Sequence, residues 1–212
     1  TGSDGTVHAS VDAAVTSNDT AAINAAVALD TSFTNLADLV AAYDALANPS
    51  TYTLTTGVNA LTGTTGDNAF DASTSNSLSN GDVLVGGGGT DTITVALSNT
   101  TVSVNSSAIE VFNVTVASAG GATMDMASSS GITNLNNVSS LNTLTVNNLT
   151  TIPTVTTNTN ASTTTLNFAN SAMASASDDL GIEVDGAATS TITLTSAAGA
   201  TNTIETVSLD SG

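Results

Sequence analysis

The sequence predicts a mainly β fold of stacked strands, a β-solenoid or β-roll, and three observations support this prediction. From Tyr52 onward, short runs rich in Thr and Val alternate between apolar and polar residues, as in "YTLTTGV", "DTITVALS" and "STITLTS". Clusters of Ser, Asn and Gly separate these runs at short intervals, without long helical patterns between them. Stretches such as "NLNN" and "VNN", interpreted as turns, favour a solenoid because stacked Asn side chains can hydrogen-bond along a ladder. A β-sandwich is the alternative fold.

Residues 1–50 have a different pattern and are predicted to form a short α-helical segment or hairpin. The stretch "TNLADLVAAYDALANPS" repeats apolar residues at helical spacing, and they are Leu36, Leu39, Val40, Tyr43 and Leu46. This segment would serve either as a cap on the next domain or as a spacer. Residues 51–212 are predicted to form the β-rich domain. Because a strand pattern is still running in "ETVSLDSG", we expect this domain to be part of a longer chain.

The composition permits a folded core. Of the 212 residues, 40% are apolar, which is enough to bury a core, but only 3% are aromatic. The apolar residues are mostly Ala and Val, so the composition predicts thin layers of small side chains rather than a large aromatic centre. No apolar stretch approaches the roughly 20 residues that span a bilayer.

The charge balance excludes several classes of partner. The chain has no Lys or Arg, one His and 18 acidic residues, for a formal net charge of -18. Nucleic acid and anionic membrane surfaces are excluded as direct partners, because both are bound through Lys and Arg. Carboxylates without an internal cation must stay solvated, take up a proton or bind a metal ion. With no Cys for a thiolate site, a hard divalent cation bound through oxygen is the expected counter-charge.

One stretch, "GDVLVGGGGTDTITVAL" at residues 81–97, carries a motif for such a cation. Its centre fits the nonapeptide G-G-x-G-x-D-x-U-x, where U is a large apolar residue, here Ile93. Gly86, Gly87 and Gly89 would form a tight turn with exposed carbonyl oxygens, and Asp91 would add a carboxylate. Oxygens from stacked turns could then meet around Ca²⁺.

Neighbouring residues keep the nonapeptide register. With Leu84 as the large apolar residue, Asp82 takes the Asp position, nine residues before Asp91. Upstream, "TGTTGDNAFDA" repeats the pattern in a degraded form with Phe70 as the apolar residue. The candidate ligands of that turn are Asn68, Asp67 and Asp71. A Gly-rich turn that binds no metal is the alternative interpretation.

These motifs resemble those of a known family. The combination "YTLTTGVNALTGTTGDNAFDA…GDVLVGGGGTDTITVAL…AIEVFNVT" is similar to the RTX-type (repeats-in-toxin) calcium-binding domains of bacterial surface-layer and related giant exported proteins. The resemblance implies a calcium-dependent β-roll or β-solenoid, exported by type I secretion and assembling on the cell exterior. By position, it implies that the turn glycines and calcium carboxylates are Gly86, Gly87, Gly89, Asp82 and Asp91. Asn68 departs from the family pattern, and a long array of nonapeptides is absent, so a few isolated sites are expected.

Other acidic residues carry weaker signals. Ile109-Glu110 and Ile204-Glu205 occupy the same place in two similar segments, "AIEVFNVTVASAGG" and "TIETVSLDSG". Each glutamate is interpreted as a strand-start residue that faces solvent or binds a cation. The couplet Asp178-Asp179, together with Asp185, is interpreted as part of a polar loop, with a further cation site as the alternative.

The sequence therefore predicts a structural, self-assembling extracellular protein of a bacterial surface layer, filament or matrix, stabilised by calcium in Gly/Asp-rich turns. The expected partners are further copies of the chain and Ca²⁺, with a cell-surface glycan as a further candidate. The alternative is an adhesin or an ice-binding solenoid, because "TLTT", "TITV" and "TITLT" place two Thr hydroxyls on one strand face, although these units are irregularly spaced. An enzyme is not expected, because the chain offers no Lys or Arg and no nucleophile–base pair, phosphate loop or zinc motif.

Overall fold

The computed structural model describes residues 50–158, 162–175, 178–185, 191–196 and 203–211. The predicted helical segment, residues 1–50, lies outside this part of the chain apart from its last residue. The described residues form strands numbered β1 to β16 along the chain and one short 3-10 helix, Asn170–Met173. None of the described helical residues forms a helix long and apolar enough to cross a membrane.

The described strands belong to three sheets. In spatial order, the first consists of β1 (Thr51–Thr53), β3 (Ala69–Ala72), β5 (Thr92–Leu97), β8 (Val111–Val116), β10 (Asn134–Val138), β12 (Thr154–Asn158), β14 (Asp179–Asp185) and β16 (Thr206–Ser211). The second consists of β15 (Thr191–Ser196), β13 (Thr163–Phe168), β11 (Leu144–Leu149), β9 (Ala122–Asp125) and β6 (Thr100–Ser103). The third consists of β2 (Ala60–Thr62), β4 (Val83–Val85) and β7 (Ser106–Ser107).

Every strand pairing between the described residues is parallel. Each strand pairs with the strand one coil later, so the chain winds as a β-solenoid, as predicted. The alternative of a β-sandwich is wrong, because the strands of a sandwich are typically antiparallel. The residues "NLNN" and "VNN", interpreted as turns, instead lie in β10 and β11.

The coils differ in length, yet their strands stay in register. Asp91 and Glu110, which contact each other on successive coils, are 19 residues apart, whereas Asn158 and Asp185 are 27 residues apart. The loops absorb the difference, since the strands themselves pair without offset along the first sheet. A fixed sequence period is therefore absent although the structure repeats.

The core is built from the inward-facing positions, which alternate with outward positions along each strand. The line that runs through the first sheet includes Phe70, Ile93, Phe112 and Leu135, each almost fully buried. Large side chains fill this core, including Phe70, Phe112, Phe168, Met124 and Met126. The expectation of thin Ala and Val layers holds only in part, because seven of the buried core residues in the described part are Val but only two are Ala, and nine are Leu.

Asparagine ladders support the stacking, as predicted. Asn136 Nδ2 donates to Asn113 Oδ1 at 2.8 Å on the neighbouring coil, and Asn167 Nδ2 donates to Asn147 Oδ1. These Asn side chains lie on strands rather than in turns. They satisfy each other's polar groups along the stack.

The second sheet carries a column of threonines on its outer face. Strand register places one Thr of each strand beside the next, and the five residues are Thr101, Thr123, Thr145, Thr165 and Thr193. All five are exposed or half-buried. Neighbouring hydroxyls are therefore spaced by the distance between strands, about 4.7–4.9 Å. This regularity arises from the strand register and is absent from the sequence spacing.

Candidate metal centre

Two equivalent turns form the first part of the candidate site. The sequences "TTGVN" and "TTGDN" end at Asn59 and Asn68, nine residues apart. In each turn the Asn Oδ1 accepts hydrogen bonds from the backbone N and the hydroxyl of the Thr four residues earlier, Thr55 or Thr64, at 3.1–3.3 Å. Each Asn Nδ2 also donates to a glycine carbonyl inside its own turn. The Asn side chain thus closes the turn from within.

On the following coil, an aspartate lies against each of these Asn residues. Asp82 Oδ1 accepts from Asn59 N at 2.7 Å and from Asn59 Nδ2 at 3.0 Å. Asp91 Oδ1 accepts from Asn68 N at 2.7 Å and from Asn68 Nδ2 at 2.8 Å. Both pairs are 23 residues apart, so the nonapeptide register predicted for Asp82 and Asp91 corresponds to two equivalent positions on one coil.

Asp82 has partners for its whole carboxylate. Its Oδ2 accepts from Ser79 N at 2.7 Å and from Ser79 Oγ at 3.3 Å, in addition to the two bonds that Asn59 donates to Oδ1. A carboxylate offers about four lone-pair directions, so four donors saturate it. Hydrogen bonds therefore satisfy both oxygens of the buried Asp82 carboxylate.

Asp91 differs from Asp82 in one oxygen. The Asp91 side chain is 0% exposed, and its Oδ2 is buried without a hydrogen-bond partner in the described part of the chain. A Cβ placed on Gly86 would lie 2.4 Å from Asp91 Oδ2 and 1.6 Å from the Ala108 carbonyl oxygen. The two oxygens therefore crowd the same point beside Gly86. An unpaired charge in such a place is costly unless a counter-ion or a proton neutralises it.

A second carboxylate approaches Asp91 from the next coil. Glu110 Oε2 accepts a hydrogen bond from Asp91 N at 2.8 Å. In return, Glu110 N and Val111 N donate to the Asp91 carbonyl oxygen at 3.1 and 3.0 Å. Glu110, interpreted from sequence as a strand-start residue, thus lies beside the candidate ligand. The chain supplies no Lys or Arg to compensate for the two carboxylates.

The predicted turn glycines are required by geometry. Gly87 and Gly89 have φ values of 113° and 87°, a region that L side chains rarely adopt. Gly86 instead has no room for a side chain, because its α-carbon packs against the Ala108 carbonyl group. The Gly86 carbonyl oxygen faces the preceding coil, 3.5 Å from Asn68 Nδ2. The glycine run is therefore a close-packed turn rather than a linker.

Three predicted ligands of the upstream turn have other partners. Asn68 uses its amide to close its own turn and to contact Asp91. Asp67 is exposed, and its Oδ1 accepts from Thr90 N at 2.7 Å. Asp71 pairs in register with Thr94, which places it about 10 Å along the strand from the level of Asp91. Hydrogen bonds from Ser73 lower the pKa of the Asp71 carboxyl.

Sequence reasoning missed some of the residues that complete this arrangement. Asn59 was not singled out, although the repeated "TTGVN" and "TTGDN" carry its signal. Asp178, interpreted from sequence as part of a polar loop, is buried and directly precedes strand β14. Asp179 and Asp185 are the first and last residues of that strand. No group of three or more His, Cys, Asp or Glu side chains close enough to hold a metal occurs among the described residues.

Comparisons with known proteins identified no relative. A scan of protein-family models gave no match, and neither a search of curated proteins nor a search of solved structures gave one. The resemblance to RTX-type domains stays a prediction from the nonapeptide residues.

Proposed function

We propose that this chain is a structural, self-associating module of an extracellular surface layer, filament or matrix, and that calcium stabilises it at Asp91. The observation that carries the proposal is the fully buried Asp91 Oδ2 without a hydrogen-bond partner, in a chain without Lys or Arg. Buried charges in proteins are paired or bind metal ions. The bacterial cell-surface location and type I secretion are predictions from the RTX resemblance.

The groups around Asp91 suit a hard divalent cation. Calcium takes oxygen ligands from carboxylates and backbone carbonyl groups. The groups that would hold the ion are Asp91 Oδ2, the Glu110 carboxylate and the Ala108 carbonyl oxygen. When bound, the ion neutralises the two carboxylates and joins successive coils at this corner. We place calcium at Asp91 in preference to Asp82, because donors already saturate the Asp82 carboxylate.

The last described strand has an edge that a further strand could cover. β16 lies at the end of the first sheet and has one edge without a partner among the described strands. Leu209 is 74% exposed, although it continues the inward column through its partner Ile182. A further strand, from a later coil of the same chain or from another copy, could pair with this edge and cover the apolar row.

Calcium removal provides the main test. We expect Ca²⁺ to raise the melting temperature of the wild type and a chelator to lower it, because an ion that binds only the folded state adds about 2.7 kcal/mol at a concentration of 100 Kd. Asp91→Asn should lose most of this calcium response. Circular dichroism melts and light scattering, with Ca²⁺ or with a chelator, measure stability and assembly.

Asp71→Asn serves as the matched control, because it removes the same charge from an exposed-face position on β3 that does not contact Asp91. This variant should keep the full calcium response. Melting and assembly that are indifferent both to the chelator and to Asp91→Asn would contradict the proposal.

The threonine column favours a second candidate, an ice-binding or adhesive face. The five stacked Thr residues of the second sheet place hydroxyls at a regular spacing on a parallel β surface. The neighbouring outward column is also polar, with Asp125 paired to Asn147 and Asn167 paired to Thr195. The irregular spacing of the Thr-x-Thr units in the sequence therefore does not prevent a regular surface.

If this face binds ice, wild-type protein should show thermal hysteresis that Thr145→Tyr reduces several-fold, because Thr145 lies at the centre of the column. Thr94→Tyr, an exposed Thr on the first sheet, is the control. Nanolitre osmometry measures the effect, and a glycan array tests the adhesive version. Wild-type protein without hysteresis and without glycan binding would exclude this candidate.

A further inference from the structure

We propose that Asp178 and Glu205 form a second divalent-cation site, built like the one at Asp91 and Glu110. This inference rests on the proposed function for the identity of the ion, calcium. Its own support is geometric. The site lies directly before the start of strand β14, several coils after the Gly-rich turn. No nonapeptide motif marks it in the sequence.

The contacts between the Asp and the Glu correspond at the two places. Asp178 N donates to Glu205 Oε2 at 2.8 Å, as Asp91 N donates to Glu110 Oε2 at 2.8 Å. Glu205 N and Thr206 N donate to the Asp178 carbonyl oxygen at 3.1 and 3.3 Å, as the equivalent residues do at Asp91. An Asp that precedes one strand of the first sheet is therefore met by a Glu that precedes the next.

The state of the Asp178 side chain also matches that of Asp91. Asp178 is 7% exposed, and its Oδ2 is buried without a hydrogen-bond partner in the described part of the chain. Burial of an ionised oxygen without a donor leaves a need for a counter-charge. With no Lys or Arg in the chain, a metal ion or a proton must supply that charge.

The buried Asp82 shows which features define the site. Asp82 is as buried as Asp91, but its four donors leave no free oxygen. Within the described ranges, Asp91 and Asp178 are the buried aspartates with an unpartnered oxygen. Both also have a glutamate from the next coil on their backbone N–H. The unpartnered buried oxygen and the glutamate on the backbone N–H thus occur together at both Asp91 and Asp178.

The two sites should differ in affinity. Ser-Ala-Ser precedes Asp178, so the glycine turn that precedes Asp91 has no counterpart. Glu205 is exposed, whereas Glu110 is half-buried. Because solvent around the Glu205 carboxylate weakens calcium binding, we expect Asp178 to bind in the range of about 10⁻⁴–10⁻³ M that extracellular modules show.

Isothermal titration of the full 212-residue chain with CaCl₂ tests the inference, together with melts at each calcium concentration. Wild type should bind with two classes of site. Asp178→Asn and Glu205→Gln should each remove the weaker class, and Glu205→Gln keeps an oxygen to accept the Asp178 N–H. Glu183→Gln, an exposed charge on β14, is the control and should keep both classes.

The outcomes separate this inference from the proposed function. If one class remains, disappears in Asp91→Asn and is unaffected by Asp178→Asn, the second site is refuted while the calcium proposal stands. If Asp178→Asn lowers the melting temperature equally with Ca²⁺ and with chelator, Asp178 is a structural residue and the inference fails. If wild type binds no calcium, both proposals fail.

Discussion

Gly86→Ala is expected to destabilise the protein by about 3–5 kcal/mol, more than overpacking usually costs, because the new methyl group meets backbone. Its Cβ would lie 1.6 Å from the Ala108 carbonyl oxygen and 2.4 Å from Asp91 Oδ2. The first atom belongs to the backbone, and the second belongs to a short buried side chain whose other oxygen accepts two hydrogen bonds from Asn68. The coils would have to separate at the corner that holds Asp91.

Gly57→Ala is the matched control, because Gly57 also lies in a turn of the solenoid but has space around it. The nearest atom to its added Cβ is Thr55 Oγ1 at 3.7 Å, an ordinary contact. We expect a change within about 0.5 kcal/mol, the usual range for surface substitutions. Urea denaturation in excess Ca²⁺ measures both variants. A Gly86→Ala variant as stable as Gly57→Ala would show that the coils are not packed as described.

If calcium binds at Asp91, Gly86→Ala should also weaken calcium binding. The substitution moves the Ala108 carbonyl oxygen or Asp91 Oδ2, two of the groups assigned to the ion. The calcium response of the melting temperature should therefore fall together with stability. Gly57→Ala should leave that response at the wild-type value.

The stacked-strand architecture could be predicted because apolar and polar residues alternate with period two in the sequence. In β8, for example, Phe112, Val114 and Val116 are buried, and the residues between them are half-buried. The composition was a poorer guide to the core. A count of Ala over the whole chain does not distinguish inward from outward positions, and only the inward positions pack.

The candidate site could be predicted only in part, because its contacts join residues of successive coils. The nonapeptide register placed Asp82 and Asp91 nine residues apart, and the structure keeps that register. The contact between Asp91 and Glu110 depends on a coil of 19 residues, and that between Asp178 and Glu205 on one of 27. Loops set these lengths, so strand alternation alone does not reveal which carboxylates meet.

Asp82→Ala is the second substitution with a large expected effect, about 2–4 kcal/mol, because it leaves buried donors without an acceptor. The donors that lose their acceptor are the backbone N of Asn59 and the backbone N and hydroxyl of Ser79, whereas Asn59 Nδ2 keeps the Gly57 carbonyl oxygen. The bonds from Asn59 join two coils, so their loss should loosen the turn at Asn59. Asp82→Asn should cost less, since it keeps one oxygen as an acceptor.

The calcium dependence of this loss distinguishes the two aspartates that the nonapeptide register makes equivalent. If hydrogen bonds alone hold Asp82, Asp82→Ala should lose the same stability in Ca²⁺ and in chelator, measured by urea denaturation. Asp91→Asn should lose stability mainly in Ca²⁺, because Asp91 Oδ2 has no donor to lose. A calcium-dependent loss at Asp82 would instead make it a ligand, as the sequence motif implies. In that case the nonapeptide motif, and not the unpartnered oxygen, would identify the cation sites of this solenoid.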